Sequence, residues 1–276
     1  MFLVVQGSDV ETRDLKELAH LTGASGIEQS APNVFRLANA QRHDGVAAIC
    51  DRALLDFGFV PDDQRLADYG LLVMDMDSTL IAIECIDEVA DLAGIKPQVA
   101  EITAAAMRGE MDYAESLRER VKLLAGLDVA SFQEVYDRRL ALNPGAGRLL
   151  EGVKAAGLKT MLVSGGFTFF TDRLRDRLGF DYATSNTVEI VNGRLTGRVL
   201  GDIIDADGKA LWLERMANEL ALPGSRVIAI GDGANDLKMM AAAGISVAYR
   251  AKPVVRERAT YQINVVGLDG VLHLFA

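Results

Sequence analysis

An apolar run ends in two aspartates at "LLVMDMDSTL", where Asp75 and Asp77 flank Met76. A carboxylate at the end of a buried strand is costly to desolvate, so a pair of them calls for a cation or a reaction. Two further strand-like runs also end in polar groups. "KTMLVSGG" delivers Ser164, Gly165 and Gly166, and "RVIAIGDGANDLKMM" delivers Asp232, Asn235 and Asp236. In a parallel sheet such ends open on one edge, so these groups converge although they lie far apart in the chain. Crowded carboxylates repel unless a cation compensates them, and an oxygen-only set without histidine or thiolate suits a hard ion such as Mg²⁺. Asp75 and Asp232 are the expected ligands. That ion would neutralise a phosphate, whose other oxygens need donors: the Ser164 hydroxyl, backbone N–H groups at Gly165 and after Asp75, and a lysine. Lys209 in "DADGKALWL" is the candidate. Asp236 is expected to cap the next helix or to hydrogen-bond Lys209, not to bind the ion directly.

A strand-end carboxylate beside such a phosphate can attack phosphorus and form an aspartyl phosphate that water then cleaves. A departing alkoxide must receive a proton, and Asp77 is placed to give it and then to take one from the attacking water. One aspartate is thus read as nucleophile and ligand, the other as proton shuttle.

Elements must bring these groups together. "LLVMD", "KTMLVSGG", "RVIAIGDG" and "ISVAY" have the continuous hydrophobicity of parallel strands covered on both faces, which predicts an open, doubly wound, mainly parallel α/β sheet. From about 84 to 142 only helical periodicity is present, carried by Ile86, Val89, Ala93, Val99, Ile102, Ala106, Leu117, Val121 and Leu124. A helical insertion directly after the first strand would cover the strand ends as a lid. Asn192-Gly193 within "TVEIVNGRLTG" predicts a hairpin. Ahead of this core, residues 1–65 read as a small α/β unit: "FLVV" and "VFRLA" as strands, "VETRDLKELAHLTG" and "DGVAAICDRALLDFG" as helices, then a polar linker. The division expected is 1–65 and 66–276.

Composition narrows the function classes. The 276 residues carry 29 Lys and Arg against 39 Asp and Glu, a formal net charge of −10, with no basic block. Nucleic acid and anionic membrane surfaces are therefore not expected partners, whereas local cations and a metal can still hold a small anion. Two cysteines, Cys50 and Cys85, lack metal-ligand spacing and fit a reducing compartment. With no signal-peptide pattern in "MFLVVQGSDVETR" and no long apolar run, a cytoplasmic location is expected. His20, His43 and His273 have no telling partner, Met239 and Met240 read as core filling, and Cys85 reads as a packed side chain.

"DMDST", "SGG", "GK" and "GDGAND" occur in the order of the four motifs of the haloacid-dehalogenase (HAD) superfamily, which the chain resembles. Within it, "MDMDSTLIAIECIDEVADLAG", "AMRGEMDYAESLRERVKLL", "VSGGFTFF" and "VAYRAKP", across residues 71 to 270, resemble the phosphoserine phosphatase family. The first 60 residues resemble ACT-like regulatory domains. The resemblance implies a HAD-like (Rossmannoid) fold with a helical cap, and Mg²⁺-dependent conversion of O-phospho-L-serine to L-serine and phosphate, the last step of serine biosynthesis. It makes Asp75 the nucleophile and Asp77 the general acid/base. It assigns the metal to the Asp75 carboxylate, the Asp77 carbonyl and Asp232, and the phosphoryl group to Ser164 and Lys209, with Gly165, Gly166 and Asn235 in the same substrate set. Glu84 and Arg120 match the positions that recognise the ammonium and carboxylate, while Met107 and Tyr113 fall where the cap lines the pocket. Tyr113 departs from a position where Phe is common.

Competing readings remain open at this level. Taken singly, Asp77 is a helix-cap or turn residue, Glu84 a first-turn glutamate and Arg120 a solvated charge on an amphipathic helix. Another phosphatase or phosphotransferase of the same mechanism, acting on phosphohomoserine, phosphothreonine or an alcohol acceptor, is the nearest alternative. A catalytically silent amino-acid sensor is a different class, against which the intact Asp75, Asp77 and Lys209 argue. A homodimer is left open.

Overall fold

The computed structural model describes residues 1–275. Its first sheet uses β1 (Phe2–Gly7), β2 (Gly26–Ala31), β3 (Val34–Ala38) and β4 (Leu55–Val60), with α1 (Thr12–Thr22) and α2 (Gly45–Ala53) interleaved. The spatial order is β2-β3-β1-β4 and every pairing is antiparallel. Gly23, at φ 64°, closes α1 as expected. Residues 55–58, read from sequence as the tail of the second helix, instead begin β4. Leu54 turns left-handed at φ 53° and ends α2. The segment then pairs with β1 along its whole length, from Gly7 opposite Leu55 to Phe2 opposite Val60. That continuous ladder outweighs a short helical periodicity.

The second sheet begins at β5 (Leu71–Met74). The chain then inserts α3 (Cys85–Leu92), α4 (Lys96–Met107), α5 (Tyr113–Leu123) and α6 (Ala130–Arg138) before returning through α7 (Ala146–Ala155) to β6 (Lys159–Phe167). It continues with α8 (Thr168–Leu178), the hairpin β7 (Tyr182–Val191) and β8 (Arg194–Leu200), α9 (Ala206–Glu219), β9 (Val227–Gly231), α10 (Leu237–Ala242), β10 (Ile245–Tyr249), α11 (Pro253–Arg256) and β11 (Tyr261–Ile263). The order is β11-β10-β9-β5-β6-β7-β8, parallel except for the β7–β8 hairpin. Chain order runs outward from β5 to β8 on one side, then resumes at β9 on the other. The crevice at the carboxyl end of β5 is thus the topological switch point, where α/β sheets place ligands.

Period-two alternation explains why these strands are apolar throughout. Leu72, Met74, Leu162, Ile228 and Ile230 enter one hydrophobic cluster, while Leu71, Val73, Met161, Val163 and Ala229 enter the one on the opposite face. The small N-terminal sheet splits in the same way. Leu3 and Val5 pack under α1 and α2, whereas Val4, Val34 and Val60 join the cluster of the large sheet. Polar pins reinforce that contact. Gln6 donates to the Gly270 carbonyl at 3.1 Å, and Asp56 accepts from the N–H groups of Asn264, Val265 and Val266 at 2.7, 2.9 and 2.9 Å.

The helical insertion is tethered at its base and at its far side. At its base Ile81 and Leu142 form an antiparallel bridge, and the Asn143 amide donates to the carbonyls of Thr79 and Ile81. Farther out, Leu195 donates its N–H to Leu127 and accepts from Gly126, so the hairpin grips the α5–α6 connection. The hairpin turns on Asn192 and Gly193, both at positive φ (52° and 76°), as an Asn-Gly turn does.

Candidate active site

Each strand end contributes one fixed group. The Asp75 N–H still bonds to Ile230 as if β5 continued, at 3.0 Å, and its side chain accepts from the Met76 N–H at 2.7 Å. The chain then leaves the sheet through Asp77 and Ser78, the latter at φ 57°. This turn puts Asp77 Oδ1 2.9 Å from the Cys85 N–H, at the start of α3, and Asp77 Oδ2 3.4 Å from the Ser164 hydroxyl. From the neighbouring strand, Ser164 Oγ accepts from the Gly166 N–H at 2.8 Å. Glycine is required at 166 by close approach: a Cβ there would lie 2.8 Å from Asp77 Oδ2 and 3.0 Å from Ser164 Oγ.

Lys209 enters from the first turn of α9, whose N-cap Asp205 accepts from the Gly208 N–H at 2.8 Å. Its side chain is 1% exposed, and its ammonium lies 2.7 Å from both Asp75 Oδ1 and Asp236 Oδ1. Asp236 holds the following loop as well, its Oδ2 accepting from the N–H groups of Asp232 and Gly233 at 3.1 and 3.0 Å. Thr79 donates to Asp232 Oδ1 at 2.9 Å and Ser78 to Glu84 Oε1 at 2.7 Å.

These groups open onto one cavity of about 440 Å³. Asp75, Asp77, Ser164, Lys209 and Asp232 line its floor elements, joined by Gly165, Gly166 and Asn235; Glu84, Met107, Tyr113 and Arg120 line it from the insertion. Asp236 lies behind, fully buried, in contact with Lys209. Met107 borders the cavity while its side chain is largely exposed. The Tyr113 hydroxyl donates to the Gly165 carbonyl at 3.0 Å, and the Arg120 guanidinium lies 6.0 Å from the Tyr113 ring centre.

Burial dominates the electrostatics. Desolvation raises Asp75 well above the usual carboxylate range, with Asp236 adding to the rise and Lys209 opposing it. Asp77 is raised to about 7, first by burial and then by the Glu84 carboxylate, and Asp232 to about 6 by burial and Asp236. Burial lowers Lys209, but the two flanking carboxylates more than reverse this and hold it above its ordinary value. Carboxyl oxygens of Asp75, Asp232 and Asp236 fall within 4.8 Å of one another, so this cluster can hold a metal ion.

Several residues at or beside the cavity were not singled out from sequence, Ser116, Thr79 and Lys252 among them. Ser116 is buried, lines the cavity and has a hydroxyl without a partner in the protein. It lies three residues after Tyr113 and four before Arg120, so their shared helix face was the available signal. Thr79, fully buried and reaching the site only through its bond to Asp232, belongs to "DMDST" itself. Lys252, whose backbone N–H bonds to the Asp232 carbonyl at 3.0 Å, lines the same cavity from the loop after β10. Cys50 and Cys85 are free and buried, and no helix among the described residues is long and apolar enough to cross a membrane.

Comparison with known proteins bears on the same residues. A family model described as haloacid dehalogenase-like hydrolase matches 72–241, and a second, described as a domain of unknown function, matches 3–46. The chain is 58% identical over 217 residues to a phosphoserine phosphatase of Polaromonas sp., covering 77% of this chain and 92% of that protein. It is 53% identical over 223 residues to a phosphoserine phosphatase of Albidiferax ferrireducens, covering 79% and 94%. The crystal structure of a HAD family hydrolase from Salmonella enterica serovar Typhi superposes with a TM-score of 0.90 at 33% identity, covering 99% of this chain and 97% of the other.

Proposed function

We propose, from the premise that this chain belongs to the haloacid dehalogenase-like hydrolase family, that it hydrolyses O-phospho-L-serine to L-serine and phosphate. One observation carries the reading. A single cavity joins a phosphoryl-binding set, Asp75, Ser164 and Lys209, to a carboxylate and a guanidinium, Glu84 and Arg120, the pair that a zwitterionic amino acid requires.

Arg120 pairs with the substrate carboxylate and Glu84 with its ammonium, which orients the phosphate toward Asp75. Phosphoryl oxygens take hydrogen bonds from the Ser164 hydroxyl, the Gly165 N–H and the Lys209 ammonium. An Asp75 oxygen attacks phosphorus, the bond to the seryl oxygen breaks, and Asp77 gives its proton to that departing oxygen. Asp77 then accepts a proton from a water whose oxygen attacks the phosphorus of the aspartyl phosphate, releasing phosphate and restoring Asp75. A value of about 7 suits Asp77 to both transfers.

The donor set fits Mg²⁺. It is made of oxygen alone, with Asp75 and Asp232 close together and the Asp77 carbonyl two residues after Asp75. When bound, the ion supplies positive charge that offsets the phosphate and the crowded carboxylates. Asp236 is already committed to Lys209 and two backbone N–H groups, and is assigned to holding them. We further assign residues 1–65 as a regulatory or dimerisation unit, 66–276 as the catalytic unit with its cap at about 84–142, and the cytoplasm as the place of work.

Phosphate release from phosphoserine, phosphohomoserine and an aryl phosphate, each with Mg²⁺ or with a chelator, tests this reading. Phosphoserine should give the highest kcat/KM, with cross-reaction of the homologue because one methylene is worth only about 1–3 kcal/mol. A flat profile removes the substrate assignment, and release undiminished by chelation removes the ion. Repeating the phosphoserine arm with added serine tests the N-terminal unit.

A further inference from the structure

The cavity wall contains a peptide group with more restraint than a glycine pair supplies by itself. The Gly165 carbonyl accepts two hydrogen bonds, from the Tyr113 hydroxyl at 3.0 Å and from Asn186 Nδ2 at 2.8 Å. The other end of the same peptide, the Gly166 N–H, donates to Ser164 Oγ at 2.8 Å. A peptide is planar, so fixing its carbonyl fixes its N–H. That N–H occupies an acceptor site of Ser164 and leaves the serine's own proton free to be donated elsewhere. Two successive glycines resist rotation poorly, and the pairing of β6 with β7 is interrupted here, so the restraint must come from outside the segment.

Asn186 supplies it from β7. It is 1% exposed, and its side-chain oxygen accepts from the Ile204 N–H at 2.8 Å. The two partners leave no ambiguity about its orientation, since a carbonyl can only accept and an N–H can only donate. Ile204 immediately precedes Asp205, the N-cap of the helix that carries Lys209. Tyr113 reaches the same carbonyl from the cap because residue 165 is glycine; a Cβ there would overlap the tyrosine oxygen. A phenylalanine at 113 makes no such bond.

We propose that Asn186 is a positioning residue that holds the phosphate-binding Ser164–Gly166 segment, at the irregular end of β6, against the start of the Lys209 helix, and that Tyr113 completes this restraint from the cap. The inference rests on the phosphoryl-binding role given above to Ser164 and Lys209. Cap closure and the setting of the phosphate donors are then one event, because the cap's hydroxyl occupies the second lone pair of the carbonyl that aims Ser164.

The test uses the Mg²⁺-loaded full chain, with inorganic phosphate competing against an aryl phosphate, and phosphoserine turnover measured in parallel. Asn186→Asp keeps an acceptor for Ile204 and loses the donor to Gly165. It should raise the phosphate Ki about tenfold, the scale of one buried hydrogen bond. Tyr113→Phe should raise it about threefold without changing Tm. Acting on one carbonyl, the two should combine to less than the product of their effects. A merely structural role predicts a smaller active fraction and a lower Tm with an unchanged phosphate Ki, and a Ki within twofold of wild type in Asn186→Asp overturns the proposal. Should that variant fail to fold, Tyr113→Phe decides alone, and an unchanged Ki there is the overturning result. Independent, multiplicative effects overturn the shared-carbonyl link. Wild type that cleaves the aryl ester but not phosphoserine would fail the substrate reading and leave this test intact.

Discussion

Asp56, within a strand, and Asp75, just past the end of one, are both buried acids raised by desolvation, and their surroundings are opposite. Asp56, on β4, has its two oxygens occupied by three backbone N–H groups from the 264–266 segment, at 2.7–2.9 Å. It is a pin between the small sheet and the large one. Asp75 borders an open cavity, shares a lysine with Asp236, and sits within reach of Asp232. A buried acid whose oxygens are satisfied by backbone N–H donors is structural, whereas acids that crowd one another around a cavity are left for a ligand to compensate.

The difference can be broken from either side. Asp75→Asn should reduce phosphate release by about three orders of magnitude or more while leaving Tm near wild type, because the proposed nucleophile is lost and the fold is not. Turnover within tenfold of wild type would remove the covalent route. Asp56→Ala should show the reverse pattern. It strands three N–H donors at the sheet junction, so denaturant unfolding should report a loss of about 3 kcal/mol, with kcat per folded molecule unchanged. A fall in kcat there would mean that the small sheet acts on the active site.

Within the cavity, Arg120→Ala sharpens the contrast between binding the amino acid and binding the phosphate. Phosphoserine kcat/KM should fall about a hundredfold, and that of an aryl phosphate by no more than a few-fold. Equal losses would contradict the assignment. The smallest effect concerns pH. Asp232, at about 6, and Asp77, at about 7, lie above the usual carboxylate value, so the folded, metal-free protein holds protons that the unfolded chain has released. Their contribution to stability is full below about pH 4 and declines as pH rises through 6 to 7, by at most about 1.4 kcal/mol per unit and group. Mg²⁺, if held by this set as proposed, would compete with those protons. The rise in Tm on adding Mg²⁺ should therefore grow between pH 5 and pH 8, and a constant increment would separate the ion from this carboxylate set.

The chemistry was legible because it is written in short, local signals. A buried strand ending in aspartate, a Ser-Gly-Gly after another and Asp-Gly-Ala-Asn-Asp after a third are each conspicuous against apolar runs. The Asn192-Gly193 turn was equally plain, though not that its hairpin would grip the connection between two cap helices. Residues 55–58 were misread as helix, since so short a stretch carries too little periodicity to resist a neighbouring strand that pairs with all of it. Ser116 and Asn186 escaped notice because a serine on a helix and an asparagine in a strand look ordinary until their partners are known.

Sequence by itself determined which groups could react and that strands would hold them at their carboxyl ends, because burial and the alternating pattern are properties of adjacent residues. Tertiary structure alone decided that β9 lies beside β5, and so that Asp232 meets Asp75. It also decided that an acid at 56 would be consumed by backbone donors while one at 75 would not. Side-chain satisfaction depends on groups supplied from distant segments, and no local pattern encodes which of them will arrive.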